Sequence, residues 1–323
     1  MRNFLNSVFF RRSIDIIFSP LTFISCYWLR YIRTTDATKM PLSYNIFLKA
    51  KSMPVNDHYY EPMIDPYRQL KYSLRKDRNL PGIDLNIEGQ IKFLSNLAFG
   101  DELLKFPVND DGSNDFYYEN GSFCSGDAEI YYSIIRHLKP FKIIEIGSGN
   151  STIIAQKALT QNLKDNPKYK GDLLCIEPYE WPSLEKRNIQ VIRKKVEELN
   201  IQDFNILQKN DILFIDSSHI IRPQGDVLFE YLEILPSLNS GVLIHIHDIF
   251  TPKDYLDDWI YNRRLFWNEQ YLLEAFLTNN DKFEIIAAVN YLKHNYEDII
   301  NRVCPVMAIQ PEREPCSIWL RKK

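Results

Sequence analysis

The chain contains no C-x-x-C pair, no apolar run long enough to span a membrane, no basic excess and no internal repeat. Each absence removes a class of protein. Its five cysteines, at 26, 124, 175, 304 and 316, are odd in number and scattered. That argues for a reducing compartment and against both a disulfide framework and a zinc site. Cys175 sits in an apolar run and reads as buried. A formal charge of −3 carries no electrostatic footprint for nucleic acid. The apolar stretch 14–29 (IDIIFSPLTFISCYWL) falls short of the ~20 residues a spanning helix needs, and Asp15 and Pro20 interrupt it. Tyr27-Trp28-Leu29-Arg30 stands where a signal peptide would carry small residues for cleavage. Two readings of this stretch remain, a helix packed on the main domain or a segment lying on a membrane surface.

What is present suits a globular protein. Apolar residues are 45% and charged residues 25% of 323, enough for a sizeable core. Residues 34–120 are rich in turn formers, from Pro41 and Pro54 to Pro81-Gly82 and Asn109-Asp110-Asp111-Gly112. Short helical patterns, such as Ile83 to Phe99, lie between them. We read 1–119 as an irregular, partly helical extension that caps a domain at 120–323.

From Asp127 the pattern becomes regular. Asp127 to Leu138 has apolar residues at helical spacing. Strand-like runs follow at 142–146, 172–176, 189–192, 211–216, 241–247, 283–289 and 317–321. Helical patterns fall between them at 151–163, 182–186, 225–235 and across most of 255–277. The strands are continuous apolar runs, which is how strands covered on both faces read. The predicted fold is α/β, a Rossmann-like, mostly parallel seven-stranded sheet with helices on both faces. Ligands of such sheets bind outside the carboxyl ends of the strands, so functional residues should stand where strands stop.

The first strand stops at Glu145-Ile146-Gly147-Ser148-Gly149-Asn150-Ser151-Thr152. Two glycines permit a sharp turn and close approach of a ligand to the backbone, and the next helix presents its N-terminal N–H groups. A dinucleotide fingerprint would need a third glycine at 152, where Thr152 stands, so the spacing disfavours NAD. The plain alternative is an ordinary strand-to-helix turn. Glu177 ends the second strand, placed to accept hydrogen bonds from both hydroxyls of a ribose or simply to sit in solvent. The fourth strand ends in Asp216-Ser217-Ser218-His219 and the fifth in His247-Asp248. Neutral imidazole is a fit base near pH 7, which makes His219 and His247 candidates for deprotonating an acceptor. His245 lies two residues deeper on the strand face of His247 and reads as a core histidine. The aromatic stretch Phe116 to Phe123 fits either a pocket cover or packing, and Arg193-Lys194-Lys195 reads as a solvated face.

The E-I-G-S-G-N-S-T run resembles motif I of class I S-adenosylmethionine-dependent methyltransferases. The stretch from Asn120 through Gly149, and the runs His247-Asp248-Ile249-Phe250 and Trp267-Asn268-Glu269-Gln270-Tyr271, resemble a methyltransferase-24-like bacterial family. The resemblance covers about the last 200 residues. It departs at Ser151, where many members have a third glycine, and at His247, where metal-using relatives often have an acidic residue. It implies S-adenosylmethionine as cofactor, held by Glu145, Gly147, Ser148, Gly149, Glu177 and Asp216. It also implies a divalent cation such as Mg²⁺ or Mn²⁺ on Asp216 and Asp248. Asp216 can instead support the cofactor's surroundings.

The expected activity is methyl transfer, most readily to oxygen, on a small molecule or glycan, in the cytoplasm or at the inner membrane face through residues 14–29. Two other classes compete: a nicotinamide-dependent oxidoreductase on a similar sheet, and a non-catalytic scaffold of a membrane-associated pathway.

Overall fold

The computed structural model describes residues 8–113, 115–187 and 189–323. These form two compact units, one of 8–72 with 258–266 and the other of 73–257 with 267–323.

The first unit is helical. Its main element, α1, spans Val8–Thr34 and is followed by α2 at Pro41–Ala50. Of the described residues of α1, Ile32 alone is buried, in a small cluster with Ala37 and Phe47. Arg33 grips Glu61 with two hydrogen bonds, 2.6 and 2.8 Å.

The second unit is built on a seven-stranded sheet. Its strands are β1 (Lys142–Ile146), β2 (Asp172–Ile176), β3 (Gln190–Ile192), β4 (Ile212–Ile215), β5 (Leu243–Ile246), β6 (Phe283–Ala288) and β7 (Ile318–Lys322). Their order is β3-β2-β1-β4-β5-β7-β6. The five strands on the β3 side are parallel, and β7 runs antiparallel to both β5 and β6. Strand order reverses between β1 and β4, where open parallel sheets bind ligands. The apolar runs follow from double burial. Ile143, Cys175 and Phe214 face one core, while Ile144, Ile146 and Ile215 face the other.

The first core is closed by α3 (Ile87–Leu94), α4 (Asp127–Leu138) and α5 (Asn150–Asp165). Near the chain's end, α7 (Val289–Asn295) and α8 (Glu297–Val303) complete it. The second is closed by residues 227–238, which include a π turn at Glu230–Ile234, and by α6 (Glu269–Leu277). Residues 73–119 belong to this unit. Arg78 binds Glu274 and the carbonyls of Pro252 and Lys253, and Glu102 holds Arg136 of α4 at 2.7 and 2.9 Å. Phe116, Tyr118 and Phe123 are core residues, so the aromatic stretch packs rather than covers.

The span 255–277, expected to be mostly helical, is helical at Asp258–Asn262 and Glu269–Leu277 and broken between them. Residues 267–268 leave the helix to dock against the end of β4, as the site shows.

Candidate active site

The turn after β1 is forced. Gly147 has φ +78°, and a Cβ there would meet the backbone oxygen of Asp216 at 1.9 Å. Only glycine lets the β1 and β4 ends approach this closely. Gly149 differs. Its φ of −174° is open to any residue, and a Cβ there would meet nothing within 4 Å. The space beside Gly149 is therefore available to a ligand.

The next helix begins cleanly, with Gly149 N–H donating to Thr152 Oγ1 at 3.0 Å. Ser148 N–H donates to Glu177 Oε2 at 3.2 Å, which ties the glycine turn to the end of β2. Glu177 Oε1 accepts from Tyr179 N–H at 2.8 Å. Each carboxylate oxygen keeps a lone pair for a further donor. Gly147, Glu177 and Asp216 line one cleft of about 330 Å³, with Tyr179, Ser218 and Arg222, a volume within the ~300–1,000 Å³ of small-molecule sites. A larger depression of about 470 Å³ lies at the amino end of β6, around Pro81, Phe283 and Lys323. It is at the wrong end of the sheet for a ligand site of this fold.

Glu145 lies elsewhere. It shares the face of Ile143 on β1, is fully buried, bonds Ser151 Oγ and is absent from the cleft lining. Burial raises its pKa from 4.5 to about 8, against the lowering effect of hydrogen bonds from Ser151 and Thr152. A raised carboxyl contributes stability below its unfolded value and loses it as pH rises through the folded one. Glu145→Gln should therefore melt like the native protein near pH 5 and above it beyond pH 8, by thermal denaturation across pH. Equal curves at high pH would remove this account.

The ends of β4 and β5 carry a compact charged group. His219 Nε2 lies 3.3 Å from Asp216 Oδ1 and 3.4 Å from Asp248 Oδ2. The three donors lie within 4.8 Å of one another. His219 and Asp248 both have positive φ, 62° and 56°, so the two loops bend inward at these residues. His219 Nδ1 meets Glu269 Oε2 at 2.8 Å, and Tyr231 donates to Glu269 Oε1 at 3.0 Å. Burial disfavours the imidazolium, but hydrogen bonds to Asp216 and Glu269 and the charge of Asp248 outweigh it and hold the His219 pKa well above the ordinary value. Asp216 is lowered: burial would raise it, and His247 and His219 prevail.

His247 is nearly enclosed. Its Nε2 is 3.6 Å from Cys316 Sγ and 3.8 Å from Asp248 Oδ1, and Phe123 packs on its ring at 5.1 Å. Burial works against its charge, yet Asp248, Asp216 and Asp127 raise its pKa. His245 is a core histidine. It stacks on Phe214 at 4.1 Å, fully buried, and burial drives its pKa well down.

Several residues at the site had escaped sequence reasoning. Glu269 orients His219, and Trp267 packs tilted against the same ring at 4.4 Å. Asn268 and Gln270 complete the dock, accepting from Ile221 N–H and Phe250 N–H at 2.6 Å each. Asp226 fixes Ser218 through its backbone N–H (2.9 Å) and hydroxyl (2.7 Å). Arg193, read as part of a solvated run, donates to the carbonyls of Glu177 and Tyr179 and so props the acidic loop. The only sequence signal for the dock was the W-N-E-Q-Y run itself.

Residues 144–249 match the family model described as a methyltransferase domain. A methyltransferase domain therefore lies within the chain. An uncharacterized protein of Archaeoglobus fulgidus is 31% identical to this methyltransferase over 167 residues, 48% of the chain and 74% of the relative. Among solved structures, similarity is found to an O-methyltransferase from Bacillus cereus in complex with SAH, with TM-score 0.35, 10% identity, 72% of this chain and 91% of the other. It is found also to a putative protein-L-isoaspartate O-methyltransferase from Plasmodium falciparum in complex with S-adenosyl-L-homocysteine, with TM-score 0.27, 12% identity, 49% of this chain and 83% of the other. No helix among the described residues of the methyltransferase is long and apolar enough to cross a membrane.

Proposed function

We propose that this methyltransferase moves the S-adenosylmethionine methyl group to a hydroxyl oxygen of a small molecule or glycan, with a divalent cation held beside the acceptor. The observation that carries the cofactor half is the bond from Ser148 N–H to Glu177, which brings the glycine turn and the acidic strand end to one cleft. In this reading the Glu177 carboxylate accepts the ribose hydroxyls. The open space at Gly149 and the first N–H groups of α5 receive the amino-acid part of the cofactor.

Asp216, Asp248 and His219 form the cation half. Two carboxylates and one imidazole suit Mg²⁺ or Mn²⁺. Glu269 takes the Nδ1 side of His219 and leaves Nε2 toward the carboxylates, the arrangement by which a second carboxylate orients a ligating histidine. A cation there would lower the pKa of an acceptor hydroxyl and reduce the demand for a base. His219 is thus proposed as a ligand. His247, buried against Phe123 and near Asp248, is proposed to tune the charge around it. The chain's own contribution is to hold donor and acceptor in line and to keep the reacting oxygen beside fixed charge.

Activity against a panel of phenol, sugar and hydroxy-acid acceptors, with and without EDTA, tests the proposal. Turnover should stop in excess EDTA and return with Mg²⁺ or Mn²⁺. Asp248→Asn should lose about 10²-fold or more in kcat while binding S-adenosylhomocysteine normally. Full activity in EDTA would remove the cation. A stabilising shift with NAD and none with S-adenosylhomocysteine would remove the methyltransferase reading.

A further inference from the structure

The longest helix of the chain serves neither core. At about 100° per residue, Arg12, Asp15, Ser19, Thr22, Cys26 and Arg30 of α1 fall on one side. Ile17, Leu21, Ile24, Trp28 and Tyr31 fall on the other. The apolar side is not packed: Ile17 is 69% exposed, Leu21 58%, Ile24 66% and Trp28 50%. A soluble chain seldom leaves so broad an apolar face open without a use. The next helix, α2, adds exposed Leu42 and Ile46.

Three observations indicate what covers this face. First, α1 carries four arginines against one aspartate in a chain whose total charge is −3. The positive charge is thus concentrated on the helix with the open apolar side. Second, the helix resolves its own polar defect. Pro20 removes the N–H that would bond Ile16 C=O, and Ser19 Oγ donates to that carbonyl instead, at 3.0 Å. The helix therefore runs on through Pro20, and its apolar side is continuous from Ile17 to Trp28. Third, the helix is too polar to span a bilayer, which leaves lying along it.

We propose that α1 binds flat in the interface of an anionic lipid bilayer. Ile17, Leu21, Ile24 and Trp28 enter the acyl region, and Arg11, Arg12 and Arg30 remain at the level of the phosphates. The binding needs no step of the methyl transfer and stands or falls apart from it.

Flotation of the full chain with vesicles tests the proposal, using phosphatidylcholine alone and phosphatidylcholine mixed with phosphatidylglycerol. The chain should float with the anionic vesicles, less with the neutral ones, and less again in high salt. Ile17→Glu with Ile24→Glu should weaken binding about a hundredfold. Arg12→Glu with Arg30→Glu should abolish the preference for phosphatidylglycerol. Both variants should keep the thermal shift with S-adenosylhomocysteine, which shows that the sheet domain is intact and separates this result from the methyltransferase reading. No flotation with either vesicle overturns the proposal, as does flotation unchanged by the two glutamates. A chain that is oligomeric without lipid, and becomes monomeric in the Ile17→Glu, Ile24→Glu variant without any effect on flotation, assigns the face to a second copy instead.

Discussion

Gly149→Asp should bind S-adenosylhomocysteine at least about a hundredfold more weakly than the native protein and melt within a few degrees of it. The two glycines of the turn predict opposite kinds of damage, which makes this expectation sharp. At Gly147 any side chain has both a left-handed backbone and the Asp216 oxygen, 1.9 Å from its Cβ, to overcome. Gly147→Ala must therefore push the β1 and β4 ends apart, and lost ligand binding would be inseparable from lost structure. At Gly149 the backbone accepts a side chain and the surroundings leave room for one. An aspartate there also precedes the first residue of α5, a position where its carboxylate can cap free N–H groups. The protein should tolerate it. The cofactor should not, because its carboxylate would meet a like charge in the space it needs. Titration calorimetry with S-adenosylhomocysteine, beside thermal melts of both variants, checks the contrast. Native affinity in Gly149→Asp would mean that the open space at this turn is not where the ligand lies.

The sheet was legible from residues because parallel strands buried on both sides must be apolar throughout. Runs such as KIIEI and DLLCI have no other easy reading once turn formers flank them. Strand ends were legible to within about two residues, since loops and caps set them rather than the core. Much of the site followed from one topological rule, that ligands gather at carboxyl ends. The rule placed Gly147, Glu177, Asp216, His219 and Asp248 together, and the coordinates bring the last three donors within 4.8 Å.

What could not be read depended on contacts distant in sequence. Glu269 lies 50 residues from His219 and reaches it only because 267–268 break the helical pattern to dock there. Periodicity reports burial and cannot distinguish a helix from a buried loop of equal polarity, so 255–277 read as mostly helical with no place for the break. Glu145 is the opposite case. Strand alternation alone puts it on the face of Ile143, away from the turn two residues later. A glycine motif read as a string obscured that geometry. For α1, the string of apolar residues was visible, but whether the protein covers them required coordinates.

His219→Ala should cost about 3–5 kcal/mol, the largest stability loss expected from a single truncation at the site. The imidazole bridges Asp216, Asp248 and Glu269, whereas His247 reaches Asp248 alone, at 3.8 Å. Its removal leaves the buried Glu269 carboxylate with the Tyr231 hydroxyl as its side-chain hydrogen-bond partner among the described residues. It also leaves the Asp216 and Asp248 carboxylates without the group that bridges them, His247 remaining beside Asp248. Removing one partner of a buried pair costs more than the pair contributes, because the survivor stays desolvated. For a unit of this size the loss corresponds to roughly 6–20 °C in Tm. His219→Gln should recover part of it, since an amide N–H can still donate to Glu269. Added Mg²⁺ or Mn²⁺ separates two meanings of the site. If the carboxylates hold a cation, millimolar metal should raise the Tm of His219→Ala by more than it raises that of His219→Ala with Asp248→Asn. Equal shifts would leave the imidazole as the site's own cation, and Asp216 and Asp248 as its partners rather than a metal's.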